Sequence, residues 1–479
     1  MKRPLVLSLA IVFALIIALP SAIPADEADA AGAKTALPSY QKLTKDIDAS
    51  IQRGIRYFEK TIHKDGHFGV EVESPSGEEG KFLYVDDVGV TGLVVLSILE
   101  SPYAGEESKK EYFKKAVKYL EKNVLDDGAI ANKGMGYYTY KTAICLRVFT
   151  LLDKEKYAKV IKNGQNFLCK IQFDEDDKMN EEDEYFGGWG YGQKFGRASM
   201  PPAEWAVDGL RESGLSPDHP VFENALVYMS KCQNLTETNK YDQTHPDVIP
   251  INDGGVRHNV VGSKVVIDAP DGKLLMPSYG SMTAAFIKSL LHAGVPKGDV
   301  RLQAAFNWIL KNYSFEKNPG FPTKTQKNAD KQGLYYYYHT ISKALLLYGA
   351  HTVETPDGKL HNWAVELTTK VLSLQRKDDS WINEFEERWF EGNPSLVTAY
   401  SLLALANCRK DLESQKVFVE KAKDEIAGCQ ERLTEIPLLK AQGELGKEEA
   451  DNLTRELSER IVILTQSLNQ IKSTIRFEE

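Results

Sequence analysis

Gly187-Gly188-Trp189-Gly190-Tyr191 is the most complete of six similar turns along the chain, and the fold prediction starts from these turns. The other turns are Asp65-Gly66, Asp127-Gly128, Gly254-Gly255, Pro319-Gly320 and Asp379-Ser380-Trp381. Their reference positions 66, 128, 188, 255, 320 and 380 lie 60 to 67 residues apart. A regular interval of this kind indicates a repeat architecture.

Each turn separates two kinds of predicted helix. The segment before a turn carries one apolar stripe, as in Ile51, Ile55 and Phe58, whereas the segment after it is apolar on nearly all sides, as in residues 143–152. A helix with one stripe covers one neighbour, and a helix that is apolar all round must be covered on every side. Alternating the two kinds six times predicts an all-α protein, an (α/α)6 toroid of inner and outer helices, over residues 45–410.

The starts of the inner helices supply a candidate site. A threonine recurs there at Thr91, Thr142, Thr283, Thr340 and Thr398, and Glu204 takes its place in the third helix. One helical turn earlier stand Tyr138, Tyr279 and Tyr336, which predicts part of an aromatic collar at one level of the ring. The alternative is that these tyrosines only pack between neighbouring helices.

We expect a central cavity with the following roles. His339 and Asp87 are the candidate catalytic residues, because a histidine titrates near neutral pH and an aspartate can serve as the acidic member. Ligand binding is expected from Tyr138, Lys141, Tyr279, Tyr336 and Lys343. For His339 the alternative is a buried histidine without a catalytic role.

The turns and the helices after them resemble the prenyltransferase and squalene-oxidase repeats of the terpenoid-cyclase and protein-prenyltransferase toroids. The motifs that carry this resemblance are Gly187 to Tyr191, Gln375 to Trp381, Gly333 to Thr340 and Glu391 to Tyr400. The last two are similar to segments of an uncharacterised, exported bacterial branch of that superfamily. The resemblance covers roughly residues 45–408 and implies a toroid that accepts an isoprenoid or another apolar ligand in its centre.

The resemblance leaves the chemistry open. Asp174-Glu175-Asp176-Asp177 has the letters of the DxDD acid of terpenoid cyclases, but it opens an acidic run typical of a solvated loop. Tyr338-His339-Thr340 is similar to the segment that carries a zinc histidine in protein prenyltransferases. Residues 277–282 contain neither the Asp nor the Cys that would complete such a site, so we expect no metal and no cofactor.

Two further functions remain as alternatives. A polysaccharide lyase or glycosidase would need paired carboxylates, and Asp86, Asp87, Glu204 and Asp208 are available near inner helices. A binding or scaffold toroid without catalysis would need none. The partner is in each case a small-molecule or polymer ligand in the cavity.

Composition and the N-terminus bear on location. Of the 479 residues 42% are hydrophobic and 27% charged, and the net charge of −9 argues against nucleic acid as a partner. Lys2 and Arg3 precede an apolar run of 15 residues from Leu5 to Leu19, which predicts a signal peptide over residues 1–25, cleaved after Ala25 or Ala30. A flexible leader over 26–44 follows. We expect a periplasmic or secreted protein with no membrane span after signal removal, and five unpaired cysteines.

The last 70 residues follow another pattern. From Asp411 the turns stop, and apolar residues recur at intervals of three and four, as in Leu457, Ile461 and Leu464. Such seams are typical of coiled coils. With Pro437 and Gly443 to Gly446 interrupting, residues 411–479 are predicted to form a separate helical hairpin that packs on itself, on the toroid or on a second subunit.

Overall fold

The computed structural model describes residues 36–73, 82–85, 87–192, 196–244, 248–262, 264–265, 267–268, 273–323 and 327–478. The predicted signal peptide and residues 26–35 of the predicted leader lie outside this part of the chain. The described elements belong to the second of two compact units, Leu37–Glu479. Its first helix begins at Tyr40, inside the predicted leader, because Ser39 caps the helix by accepting a hydrogen bond from the Lys42 N–H.

In chain order the helices are α1 (Tyr40–Thr61), α2 (Asp87–Leu99), α3 (Ala104–Glu107), α4 (Glu111–Lys122), α5 (Tyr138–Asp153), α6 (Ala158–Lys170), α7 (Met200–Glu212), α8 (Pro220–Cys232), α9 (Tyr241–Thr244), α10 (Gly280–His292), α11 (Val300–Lys311), α12 (Leu334–Tyr348), α13 (Trp363–Ser373), α14 (Pro394–Ala441) and α15 (Lys447–Lys472). Short 3-10 helices occupy Glu175–Asp177, Ala329–Lys331 and Arg388–Phe390. The strands are β1 (Val70–Glu73), β2 (Phe82–Val85), β3 (Ile267–Asp268), β4 (Leu274–Leu275), β5 (Val353–Glu354) and β6 (Leu360–His361), paired as three antiparallel hairpins. Within the described ranges, no helix is both long and apolar enough to cross a membrane.

Six helices form a closed cycle of packing contacts. Helix α2 packs on α5, α5 on α7, α7 on α10, α10 on α12 and α12 on α14, and α14 returns to α2. Helices α1, α4, α6, α8, α11 and α13 each pack on a member of this cycle and alternate with its members along the chain. The predicted all-α fold is confirmed, and the cycle is the arrangement expected of the inner ring of an (α/α)6 toroid.

The repeated turns have a common structural cause. Gly187 has φ +84°, and a Cβ there would collide with the backbone carbonyl of Asn224 in α8, so no other residue fits. In four of the turns the N–H just beyond the bend donates to a threonine hydroxyl of the next inner helix. These bonds are Phe68 to Thr91 (2.9 Å), Ile130 to Thr142 (3.0 Å), Val256 to Thr283 (3.0 Å) and Trp381 to Thr398 (3.1 Å). The recurrent threonines therefore tie turns to helices.

The C-terminal hairpin differs from the prediction in two respects. Helix α14 runs without a break from the ring through position 411 and through Pro437, so the predicted boundary lies inside a helix. A proline removes one helical hydrogen bond, but burial of Ile436 with Cys429 and Leu457 of α15 holds that turn in place.

The near half of the hairpin belongs to the ring. Leu412, Val419, Leu468, Ile471 and Ile475 are buried in the main core. The N–H of Arg476 donates to the carbonyl of Pro38, and the N–H of Tyr40 donates to that of Arg476, both at 2.9 Å. Only the far half, around Cys429, forms a core of its own. All five cysteines are free thiols, as predicted.

Candidate functional site

A cavity of about 660 Å3 lies where the inner helices begin. Its lining comes from the first turns of all six, for example Gly89 of α2, Tyr140 of α5 and Tyr336 of α12. The segment before α14 contributes Trp389 and Phe390, and the loops before α7 and α10 contribute Tyr191 and His258. The volume falls in the range of about 300–1,000 Å3 that is usual for small-molecule sites.

Aromatic side chains dominate the lining. They are Tyr137, Tyr140, Tyr191, Tyr279, Tyr336, Trp389, Phe390 and Tyr400. Tyr140 stacks on Tyr191 with ring centroids 5.7 Å apart, and Tyr137 meets Phe390 edge-on at 6.4 Å. Tyr137, Trp389 and Phe390 have positive φ angles of 54°, 59° and 65°, a strained region for such residues that concentrates at functional sites.

One wall of the cavity is polar. The ring of His258 lies between two phenols, with Nδ1 3.2 Å from the Tyr279 hydroxyl and Nε2 3.2 Å from the Tyr191 hydroxyl. Burial and the nearby Lys264 lower the pKa of His258 to about 3, so the ring is neutral at physiological pH. This wall can exchange hydrogen bonds with a ligand without adding a charge.

A buried glutamate, Glu204, lies directly beneath the cavity, in contact with the lining residue Tyr336. The Tyr336 hydroxyl donates to Glu204 at 2.5 Å, and Glu204 is in turn paired with Lys288. Glu204 and Lys288 are both fully buried. Burial raises the pKa of Glu204, and Lys288 opposes that rise. Burial alone would lower the pKa of Lys288, but the neighbouring carboxylates of Asp208 and Glu204 outweigh this effect and raise it.

The charges continue along the axis of the ring, away from the cavity. Lys288 also pairs with Asp208 at 2.6 Å, and His292 lies 3.6 Å from Asp208 and 3.7 Å from Glu212. Glu212 pairs with Arg147, which reaches Glu100 at 3.1 Å. Burial raises the pKa of Glu204 at the end of this network nearest the cavity, whereas Arg147 and Lys343 lower the pKa of Glu212 at the other end despite its burial.

Glu391 is a second buried carboxyl beside the cavity, but it is fully occupied. It accepts hydrogen bonds from the N–H groups of Leu334, Tyr335 and Tyr336, each at 2.9 Å, and from Asn383 at 2.6 Å. These bonds cap the start of α12. Burial raises the pKa of Glu391 to about 7 against the opposing effect of these donors.

Three of the predicted site residues line the cavity: Lys141, Tyr279 and Tyr336. Asp87 begins α2 as expected, but its side chain lies outside the described part of the structure. The expectation that all the candidates share one hollow is wrong for Tyr138, His339 and Lys343, and each has a physical reason.

Tyr138 is rotated out of the cavity. Its ring packs on Phe167, and its hydroxyl accepts from the Gly134 N–H at 2.7 Å. The face of α5 that lines the cavity carries Tyr137, Tyr140, Lys141 and Ile144, at the spacing of one helical face. Tyr138 falls between those positions.

His339 and Lys343 lie on the correct face of α12 but too deep. His339 is stacked between Trp205 and Tyr400, with ring centroids 5.6 and 5.7 Å away, and of these two rings Tyr400 lines the cavity. Burial lowers the pKa of His339 well below its ordinary value. Lys343 is another turn deeper and pairs with Glu212 at 2.9 Å.

Most residues that line the cavity were not predicted from the sequence. Tyr137 and Tyr140 were available from the helical spacing to Lys141, and Tyr400 from its spacing to Leu396. His258 lies in a loop, and Trp389 and Phe390 lie in a 3-10 helix of three residues, so none of them belongs to a periodic pattern. Lys288 is a single charge inside an apolar helix, and that isolation was its only signal.

No protein-family model and no curated protein sequence matches the chain. Among solved structures, the chain is similar to a type II terpene cyclase, MstE from Scytonema, in complex with its product merosterolic acid A. The TM-score is 0.47 and the sequence identity 14%, and the match covers 78% of this chain and 99% of that one. A family 76 glycoside hydrolase from a bovine Bacteroides thetaiotaomicron strain gives 0.46 and 12%, covering 76% and 78%. An alpha-amylase from Clostridium perfringens gives 0.44 and 13%, covering 75% and 97%. At these identities and TM-scores the likenesses carry no argument about activity, and the function is inferred from the site.

Proposed function

We propose that the protein binds a largely apolar ligand, such as an isoprenoid or another molecule that stacks on aromatic rings, in the cavity at the starts of the inner helices. The observation that carries this proposal is the lining of eight aromatic side chains around about 660 Å3. Aromatic rings offer large contact area with little loss of conformational freedom on binding.

The lining argues against the alternative of a glycosidase or lyase. Glycosidases use two carboxylates that flank the sugar. The lining contains two carboxylates, Glu387 and Glu391. Both oxygens of Glu391 already accept hydrogen bonds from N–H groups, so of this pair Glu387 alone could act on a sugar. Glu204 lies behind the Tyr336 hydroxyl.

Native mass spectrometry on protein purified from its own host tests the proposal. We expect a retained small molecule in wild type that is absent from Gly89→Phe. Gly89 is in the lining, and a Cβ there meets only the Lys141 side chain at 3.5 Å, so the added ring extends into open space. Gly89→Ala is the matched control and should keep the molecule. Retention by Gly89→Phe at the wild-type level would contradict the proposal.

Acid–base catalysis on the bound molecule is a second candidate function, favoured by the contact between Tyr336 and the buried Glu204. The Tyr336 hydroxyl would exchange a proton with the ligand on one side and with Glu204 on the other. After incubation with wild type in D2O and return to H2O, the retained molecule should then carry deuterium bound to carbon, and it should not after incubation with Tyr336→Phe or Glu204→Gln. An unlabelled molecule after incubation with wild type would identify a binding protein instead.

We also propose that the protein is exported, on the basis of Lys2, Arg3 and the apolar run from Leu5 to Leu19. N-terminal sequencing of protein from native cells should begin between Asp26 and Ala31. Full-length protein in the cytoplasm would contradict export.

A further inference from the structure

We propose that Tyr191, His258 and Tyr279 form an oxygen subsite, which binds a neutral hydroxyl group of the ligand. This inference rests on the proposed function and adds the polar group that the ligand carries. All three side chains line the cavity. His258 and Tyr279 are more than nine-tenths buried, so their hydrogen-bonding groups meet the cavity and not bulk water.

The Tyr279 hydroxyl has one hydrogen-bonding position that His258 does not fill. A neutral imidazole has one donor and one acceptor nitrogen. If Nδ1 carries the proton, it donates to the Tyr279 oxygen, and the O–H of Tyr279 needs another acceptor. If Nε2 carries it, Tyr279 donates to Nδ1, and its oxygen can accept one more bond. Tyr191 has Tyr140 and Ser199 as further partners, so the open position falls on Tyr279.

A hydroxyl group suits this position better than a carbonyl group. It can accept from Tyr279 in the first tautomer and donate to it in the second, whereas a carbonyl oxygen fits only the first. The ligand class is therefore an apolar or isoprenoid alcohol.

The charges around the cavity favour a neutral group over an anionic one. The lining contains two lysines, Lys141 and Lys264, and two glutamates, Glu387 and Glu391. Lys264 is exposed to solvent, and no arginine lines the cavity in the described part of the chain. Recognition of phosphates in proteins commonly uses arginine forks or clusters of cations.

The test compares three probes of one chain length: geranylgeraniol, the matched hydrocarbon without the hydroxyl, and geranylgeranyl diphosphate. Binding is followed by tryptophan fluorescence, since Trp389 lines the cavity. We expect the alcohol to bind wild type about fivefold more tightly than the hydrocarbon, the contribution of one hydrogen bond. Tyr279→Phe should abolish this difference and leave binding of the hydrocarbon unchanged.

Tyr138→Phe is the matched control, because Tyr138 also lies at the start of an inner helix but its hydroxyl bonds away from the cavity. It should keep the preference for the alcohol. If Tyr279→Phe fails to fold, Tyr279→Met is a second variant that also removes the hydroxyl, and it should lose the preference in the same way. Equal affinity for alcohol and hydrocarbon, or tighter binding of the diphosphate, would overturn the oxygen subsite while leaving the cavity as a ligand site. Failure of all three probes to bind would contradict the proposed function and, with it, the subsite.

Discussion

Replacement of Lys288 by methionine tests the buried charges beneath the cavity. Lys288 is fully buried and contacts both Glu204 and Asp208, so Lys288→Met leaves two buried carboxylates without their cation. Breaking a buried ion pair from one side costs about 3–5 kcal/mol. With an unfolding entropy of about 2.1 cal/mol/K per residue, a unit the size of Leu37–Glu479 should lose about 3–5 °C in melting temperature.

The loss should depend on pH in a defined direction. The pKa of Lys288 is raised in the folded protein, so its stabilising effect is fully present throughout pH 5–8 in wild type. Without Lys288, the pKa of Glu204, already raised by burial, rises further. The folded variant then binds a proton more tightly than the unfolded chain, so its stability falls as pH rises above the ordinary range of a glutamate. The melting temperature of Lys288→Met should therefore lie further below wild type at pH 8 than at pH 5.

Differential scanning calorimetry at both pH values measures this. Lys42→Met is the control, because the pair between Lys42 and Asp46 is at the surface and is worth at most about 1 kcal/mol. A Lys288→Met variant that melts like wild type at pH 8, or that loses more stability at pH 5, would refute the account of the buried network.

Three further outcomes are expected. Gly187→Ala should lower the melting temperature clearly, whereas Gly105→Ala, where a Cβ meets nothing, should not; equal effects would show that the turn geometry is not required. A chain ending at Asp411 should aggregate or melt at a lower temperature than wild type, because Leu412, Val419 and Ile471 are part of the main core. Removal of only the far half of the hairpin, around Cys429, should be tolerated. A stable protein ending at Asp411 would contradict this expectation. Cys145, Cys232 and Cys408 should resist a thiol reagent in the native protein at pH 8, because burial raises the pKa of each thiol; rapid labelling would contradict it.

The fold was predictable because it repeats. The turns around Gly66, Gly128 and Gly254 need positive φ and close backbone contact, and the threonines that hold them must recur with them. What could not be predicted was the extent of α14. A proline and a change of pattern at 411 indicate a boundary, but burial of Leu412 and Ile436 outweighs both.

The site was predictable only in part. Position along an inner helix gives the level in the ring, and Tyr279 and Tyr336 were placed correctly in the cavity by that rule. Rotation about the helix axis decides whether a side chain faces the cavity, and a shift of one residue sent Tyr138 elsewhere. His339 is enclosed between the rings of Trp205 and Tyr400, and no spacing along the sequence reveals this packing.

The most direct test of the central claim is a crystal structure of the protein purified from its own host. We predict continuous density for one elongated molecule between Tyr140, Tyr336 and Trp389, with an oxygen within hydrogen-bonding distance of the Tyr279 hydroxyl. A cavity filled only by ordered water, with a ligand absent or bound elsewhere on the chain, would contradict it.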